Sequence, residues 1–459
     1  LDSRAAIATM QNRFADRIPA PVLSFTRYQW TVLAAAWLGW GFDVFDGLLF
    51  NYVAPNAVPT LLGLTLGSAE AKAATLFWTG SLTSLFLIGW AVGGVMFGPI
   101  SDRFGRRRTL MITMVLYAVG TASCALVTDM WQLVACRIIA SLGIGGEWAA
   151  GAAMVAEVVD DEHRVEAGAL LYTAAPFGLF LATGVNALIA GNVMSADPET
   201  SWRFVLLFGL LPAAVAFFVR LFVKEPERWV QTAQAVSAPA PRIRELFSPV
   251  FWPRTRSALL MTFIALLTWW SCNAFIPVVS ATLGQAAAAA GGLDKAATSA
   301  LVESWKTIAT TSFNLGGLIG TLLTIPVAKR LGRRPMFAIY FGVSALALMA
   351  TFGLDLPEET RLYAYFFIGL SVFGVFGSFT YYLPELYPTR LRATGAGFCY
   401  NIGRIVAAAG PYVVGSVAAA GAGSPAVILN ALFAVAFVPL VGLLFIPLVV
   451  ETRGQTLPD

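Results

Sequence analysis

Apolar residues in this chain run in blocks about 20 long, separated by short clusters of charge, glycine and proline. Hydrocarbon about 30 Å thick is crossed by about 20 residues of helix. Twelve windows of that length can be drawn: residues 30–52, 75–99, 109–127, 131–155, 165–190 and 202–222, then 257–284, 304–326, 335–353, 361–383, 395–419 and 426–449. The pattern predicts an all-α membrane protein with twelve transmembrane helices. The first window, carrying Asp43 and Asp46, is too long and too acidic for a cleavable signal and is read as a retained helix.

Composition supports that reading and narrows it. Of 459 residues, 58% are apolar or aromatic and 12% charged, against roughly 25% charge in a soluble domain. A water-soluble assembly is excluded, and lipid is the solvent for most of the surface. Cys124, Cys136, Cys272 and Cys399 lie in apolar stretches without paired spacing, and His163 is the one histidine, so neither a disulfide framework nor a multi-histidine metal site is expected. No cofactor is expected, and since no nucleophile, base and orienting group gather in one place, an enzyme is not expected either.

The net charge of +4 has a topological explanation. Arginine and lysine in short loops resist translocation. Here 23 of the 30 fall before the first helix, after even-numbered helices or in the central connector. Both termini are therefore expected on the cytoplasmic side, in the cell's inner membrane, and no nucleic-acid partner is implied. The chain divides into a cytoplasmic segment 1–29, a six-helix half 30–223, a cytoplasmic connector 224–256, a second six-helix half 257–450 and a tail 451–459. The halves repeat. Asp102-Arg103-Phe104-Gly105-Arg106-Arg107 corresponds to Lys329-Arg330-Leu331-Gly332-Arg333-Arg334; Glu157 and Arg164 correspond to Glu385 and Arg392; Lys224-Glu225-Pro226 corresponds to Val450-Glu451-Thr452. The offsets, 226 to 228 residues, agree closely enough to indicate two pseudo-symmetric halves.

On these motifs the chain resembles the major facilitator superfamily over essentially its whole length. Gly98-Pro99-Ile100-Ser101-Asp102-Arg103 and the residues following resemble that superfamily's loop between helices 2 and 3, and Arg137 with Gly143, Gly145 and Gly146 resembles its helix 4. Glu225-Pro226-Glu227-Arg228-Trp229 and Pro384-Glu385-Leu386-Tyr387-Pro388 are similar to the branch holding sugar porters and proton-coupled organic-acid symporters. The resemblance implies paired six-helix halves rocking about a midplane site, a geometry inherited from the superfamily rather than derived. It also implies gating by Asp102, Arg103, Arg106, Glu157, Arg164, Arg330, Glu385 and Arg392, with acids paired to arginines at helix ends; plain charge anchoring is the alternative. Lys329 stands where the first copy has Asp102, so the first copy is expected to carry more of the latch between the halves.

A charge in hydrocarbon costs roughly 3 kcal/mol or more, so ionisable residues deep in a span are functional candidates. Five stand out. Asp43 and Asp46 share one face of the first helix, with Phe50 continuing the stripe. Two carboxylates away from water are not readily both ionised, so either is a candidate to carry a proton, a structural pair being the alternative. The Phe42-Asp43-Val44-Phe45-Asp46 segment resembles that of sialate and monocarboxylate (metabolite) proton symporters and, less closely, aromatic-acid symporters. Glu147, in Gly145-Gly146-Glu147-Trp148, joins them as a proton-coupling candidate or else packs against Arg137. Arg137 is read as an ion-pair partner for an acid rather than a substrate ligand.

Arg404, near the middle of the eleventh window with Asn401 on its face, suits a substrate carboxylate, because a guanidinium can donate two parallel hydrogen bonds. The resemblance to organic-anion transporters points the same way; pairing with Asp43 or Asp46 is the alternative. Asn273, Asn314, Trp40, Trp270 and Tyr381 complete the expected substrate site. The expected function is proton symport of a small organic anion, monocarboxylate or sialic-acid-like, by alternating access, with protons as coupling ion, the bilayer as partner and the monomer as functional unit. Alternatives are an aromatic-acid symporter, an uncharged sugar or polyol porter, weakened because Gln285 lies beyond the seventh helix's apolar run, and a non-transporting receptor or assembly factor with this fold.

Overall fold

The computed structural model describes residues 25–104, 106–159, 164–210, 214, 243–421 and 424–455. All regular structure among them is helical. The first half comprises α1 (Arg27–Leu62), α2 (Ala69–Phe104), α3 (Arg106–Cys124), α4 (Met130–Val158), α5 (Arg164–Tyr172 and Ala174–Leu188) and α6, described over Pro198–Leu207. The second comprises α7 (Trp252–Asn273 and Ile276–Ala290), α8 (Lys295–Leu331), α9 (Arg333–Gly353), α10 (Glu358–Ile368 through to Phe379–Glu385), α11 (Thr389–Ala407 and Ala409–Ala420) and α12 (Pro425–Val435 and Phe437–Leu444). Among the described residues nine spans are long and apolar enough to cross a membrane, and apolar stretches of α3 and α4 are shorter. The helices outrun the sequence windows, α1 by ten residues at its end and α8 by nine at its start, and the added turns of α1 are buried from Val53 to Pro59.

Local chemistry fixes the ends. Thr26 and Gln29 form a reciprocal capping box at the start of α1, and Gly63 closes it in the left-handed conformation at φ 67°. Asp129 and Asp294 accept backbone N–H bonds from Trp131 at 2.6 Å and Ala297 at 2.7 Å, capping α4 and α8. Outward faces carry exposed Val95, Val115, Val119, Leu346, Val417 and Leu444, the side presented to lipid.

Without a hydrophobic force between helices in lipid, close packing decides which pair. Gly93 lies against the Leu142 carbonyl and Gly145 against the Trp90 carbonyl where α2 crosses α4; Gly316 and Gly320 lie against the carbonyls of Phe366 and Leu370 where α8 crosses α10. These glycines are contact points between helices. Gly94 belongs with them: a β-carbon there would stand 3.3 Å from the Gly145 carbonyl, and would also meet the Asn401 amide at 3.4 Å.

The start of α9 is the best-described of the repeated basic signatures, and its geometry differs from the expected latch. Arg333 grips Glu385 with two bonds, Nη2 to Oε1 at 2.6 Å and Nε to Oε2 at 3.1 Å. Thr452 donates to the same carboxylate at 2.6 Å. Glu451 accepts the backbone N–H groups of Arg333 at 2.9 Å and Arg334 at 3.0 Å, capping α9 from the far end of the chain. Gly332, at φ 100°, admits that carboxylate, since a β-carbon there would come within 2.7 Å of it. Every partner belongs to the second half or to the tail that follows it, so this cluster ties the tail to that half and does not tie the two halves. Arg333 provides the contact, while Arg330 is exposed. The side chains of Asp102, Arg103, Arg106, Glu157, Arg164 and Arg392 lie outside the described residues.

Glu451 is pulled two ways: burial pushes its carboxyl up, but the N–H groups of Arg333, Arg334 and Arg453 and the Arg333 guanidinium hold it below the usual carboxylate range. A carboxyl depressed on folding stabilises the fold where it is ionised, and that contribution is lost as pH falls through the folded value. Glu451→Gln is therefore expected to lower the thermal unfolding temperature at neutral pH, with the gap to the parent closing as the pH is lowered through the carboxylate range.

Candidate functional site

The two halves meet along a seam, and midway along it lies a cavity built from both. Trp40, Val44 and Leu48 of α1, Trp90 of α2 and Tyr172 of α5 face Trp269 and Trp270 of α7, Phe373 and Phe376 of α10, and Tyr400 and Arg404 of α11. The rings form a continuous box: Trp269 and Trp270 meet edge to face at 4.5 Å between centroids, Trp90 and Trp270 at 6.0 Å, Trp40 and Tyr172 at 4.8 Å, while Tyr172 stacks on Phe376 at 6.2 Å and 17°. The enclosed space is about 40 Å³. That is little more than the roughly 30 Å³ share of one water, whereas ligand pockets run to about 300 Å³ or more. A ligand larger than a water would fit only if this lining parted.

Arg404 is the charge in this box. It is buried, with its guanidinium carbon 4.2 Å from the Trp90 ring centre and 4.9 Å from that of Tyr400, and Nη1 donates to Asn401 Oδ1 at 2.9 Å. Its Nε has no hydrogen-bond partner. The pairing with Asp43 or Asp46 entertained from sequence is not formed: Arg404 is held by an amide and two aromatic faces. Among the residues lining the cavity, Trp90 Nε1 and Trp269 Nε1 are also buried donors without acceptors. Buried polar atoms are normally satisfied, so three orphan donors around one void mark a place for acceptors.

The aspartates of α1 stand elsewhere. Side chains 40, 44 and 48 face the seam; Asp46 faces into its own half, where Thr121 of α3 donates to Oδ2 at 2.6 Å and Gly209, just beyond α6, lies alongside. Asp43 and Asp46 are both buried. Arg137 of α4 was expected to pair with an acid side chain; it donates instead to the main-chain carbonyls of Asp46, at 3.4 Å, and Gly47, and its guanidinium lies over Phe86 and Phe50. Asp46 still adds Coulombic attraction. The side chain of Glu147 lies outside the described residues.

The remaining expected site residues separate into three places. Trp40, Trp270 and Asn401 belong to the Arg404 cavity or its wall. Asn273 and Asn314 line a second, smaller hollow beside it with Asn51, Tyr52 and Thr310, reached past the shared Leu48. There Asn314 donates to Thr183 at 3.4 Å, and Thr183 bonds Tyr52 and Thr310 at 3.1 Å each. Tyr381 leaves the site: it bonds the Thr324 carbonyl at 3.5 Å and lies under the Arg333 guanidinium, 5.3 Å away.

Sequence reading passed over Trp90, Tyr172 and Phe373. Tyr400, four residues before Arg404 and hence on its helical face, carried a usable signal. It also passed over Glu303 and Lys306, a buried ion pair at 2.6 Å in α8. Glu303 fell just outside the apolar window drawn for that helix and Lys306 just inside its edge.

Comparison with known proteins follows this geometry. The family model described as Major Facilitator Superfamily matches residues 32–411. The chain is 30% identical to a protein of Cupriavidus pinatubonensis named "Probable 4-methylmuconolactone transporter", over 83% of this chain and 82% of that one. It is 25% identical to the sialic acid transporter NanX of Escherichia coli, over 83% and 85%. Among solved structures, a D-xylose-proton symporter superposes with a TM-score of 0.70 over 94% of this chain and all of that one; at 18% identity this shows a shared fold. The expected architecture is the one found, and an enzyme reading has no support in any of these relatives. With twelve helices in two halves and a cavity on the seam between them, the chain belongs to the major facilitator superfamily of membrane transporters.

Proposed function

We propose that this transporter carries a small organic anion with a flat, apolar body, in symport with protons, by alternating access. The observation that carries the reading is Arg404: a buried guanidinium at the seam, between aromatic faces, whose bond goes to an amide and not to an acid. Arginine offers a planar fork matched to a carboxylate, and two parallel charge-assisted bonds fix orientation as well as affinity. Rings of Trp90, Trp269, Trp270, Tyr172 and Phe376 would sandwich the remainder of the substrate. This lining favours an aromatic or unsaturated acid over the sialic-acid-like cargo expected from sequence, and over a sugar, which needs many acceptors as well as donors. The amide-lined hollow at Asn273 and Asn314 would accept a second polar group on the substrate.

The proton would act on the opposite face of α1. Asp46 and Arg137 meet there, with Arg137 holding the helix by the Asp46 and Gly47 carbonyls. Neutralising Asp46 removes its attraction for Arg137 and loosens α1 against α4, and the same helix presents Val44 and Leu48 to the cavity. A proton bound behind α1 and an anion bound in front of it would thus share one movable element. Asp43 and Glu147 are the other candidates for the proton.

Two measurements test this. Arg404→Lys keeps the charge but loses the fork; since a hydrogen bond to a charged group contributes about 1.5–3 kcal/mol, affinity for an aromatic carboxylate such as benzoate or 3-hydroxybenzoate, read by tryptophan quenching, is expected to fall by about tenfold or more. Unchanged affinity would remove the anchor. In proteoliposomes, Asp46→Asn is expected to abolish accumulation driven by an inward proton gradient while retaining substrate exchange with no gradient. Parent uptake indifferent to the gradient would sink the symport reading.

A further inference from the structure

We propose that Glu303 and Lys306 form a gate that shuts the transport path at the end of the bundle opposite the basic loops, by offering one α8 ion pair to partners on α1 and α5 of the other half. The pair is formed three residues apart on one helix, Lys306 Nζ to Glu303 Oε1 at 2.6 Å, with side chains only 1% and 3% exposed. Its remaining bonds cross the seam. Asn186 of α5 donates to Glu303 Oε2 at 2.7 Å and Asn56 of α1 to Oε1 at 3.4 Å, while Lys306 donates to the Tyr52 carbonyl of α1 at 3.1 Å. One turn deeper, Thr310 of α8 meets Thr183 of α5 at 3.1 Å, and that contact borders the amide-lined hollow. The cluster therefore sits across the way from this end to the cavity.

Its chemistry suits a gate that must open repeatedly. A buried ion pair split between the halves would leave two uncompensated charges each time the seam parted, and breaking such a pair is strongly destabilising. Here both charges ride on α8 and stay together. Only amide and carbonyl partners are exchanged, and water entering the opened seam can replace them. Closure removes that water, so each cross-seam bond to a charged group gains strength from the low local dielectric. By contrast, Lys295 and Glu199, 3.6 Å apart at the same end, are largely exposed, where a lone ion pair contributes little. Gly191 gives Glu303 room against the other half, since a β-carbon there would lie 3.3 Å from the Glu303 β-carbon.

The proposal rests on alternating access and not on the identity of the cargo, so its test uses distance and no substrate. Spin labels on Leu62→Cys at the end of α1 and Leu293→Cys in the turn before α8, both exposed, report the separation of the halves once the four native cysteines are replaced. Pulsed electron paramagnetic resonance is recorded for this parent, for Asn56→Ala/Asn186→Ala, which strips the partners but leaves the ion pair whole, and for Glu303→Gln/Lys306→Met, which removes both charges together. The expected result is a longer-distance component at least threefold more populated in each variant than in the parent. Parent-like distributions in the asparagine variant, eluting as a single species with unchanged helical circular dichroism, would overturn the gate whether or not the charge variant folds. A shift in distance in the variants would leave the gate standing even if the parent, assayed separately, took up no organic anion, an outcome that would overturn the organic-anion reading alone.

Discussion

Hydrocarbon offers no water to a charge, so every ionisable group within the bundle must be answered by protein. The described charges are answered in different ways. Glu303 and Lys306 answer each other on one helix and spend their remaining valence across the seam. Arg137 is surrounded by main-chain carbonyls and aromatic faces. Arg404 has an amide, two ring faces and the Tyr400 hydroxyl and, like Arg137, keeps one donor nitrogen over. What singles it out is that its spare nitrogen lies beside a void, together with the orphan donors of Trp90 and Trp269.

The first helix joins these sites. Its front carries Trp40, Val44 and Leu48 into the cavity, its back carries Asp46 to Thr121, and further along, its Tyr52 carbonyl and Asn56 amide meet the α8 ion pair. Three chemically distinct contacts thus act on a single rigid rod of 36 residues. Coupling between them, as proposed above, would run through this helix, because a close-packed body transmits strain from one contact to the next.

The two ends of the bundle are held differently. At the basic end the described cluster of Arg333, Glu385, Thr452 and Glu451 joins the second half to its own tail. At the other end the Glu303 cluster bridges the halves. A transporter that works by rocking needs both kinds of contact: permanent ones inside each half and exchangeable ones between them.

The sequence by itself determined the elements and the duplicated plan, because length, apolarity and loop charge are local properties that the bilayer reads directly. It also marked Arg404, Asn401, Asp46 and Arg137, since charge inside an apolar run needs no structure to be noticed. What it left open was partnership. Asp43 and Asp46 share a helix with the cavity wall, yet a rotation of one face turns Asp46 toward Thr121 and away from the cavity. Tyr381 had the right residue type and fell beside Arg333 instead. Glu303 and Lys306, at the edge of an apolar window, drew no reading from the sequence at all. The fold settled these, because which face of a helix meets which neighbour depends on packing between segments far apart in the chain, from 48 residues for Arg333 and Tyr381 to 247 for Asn56 and Glu303.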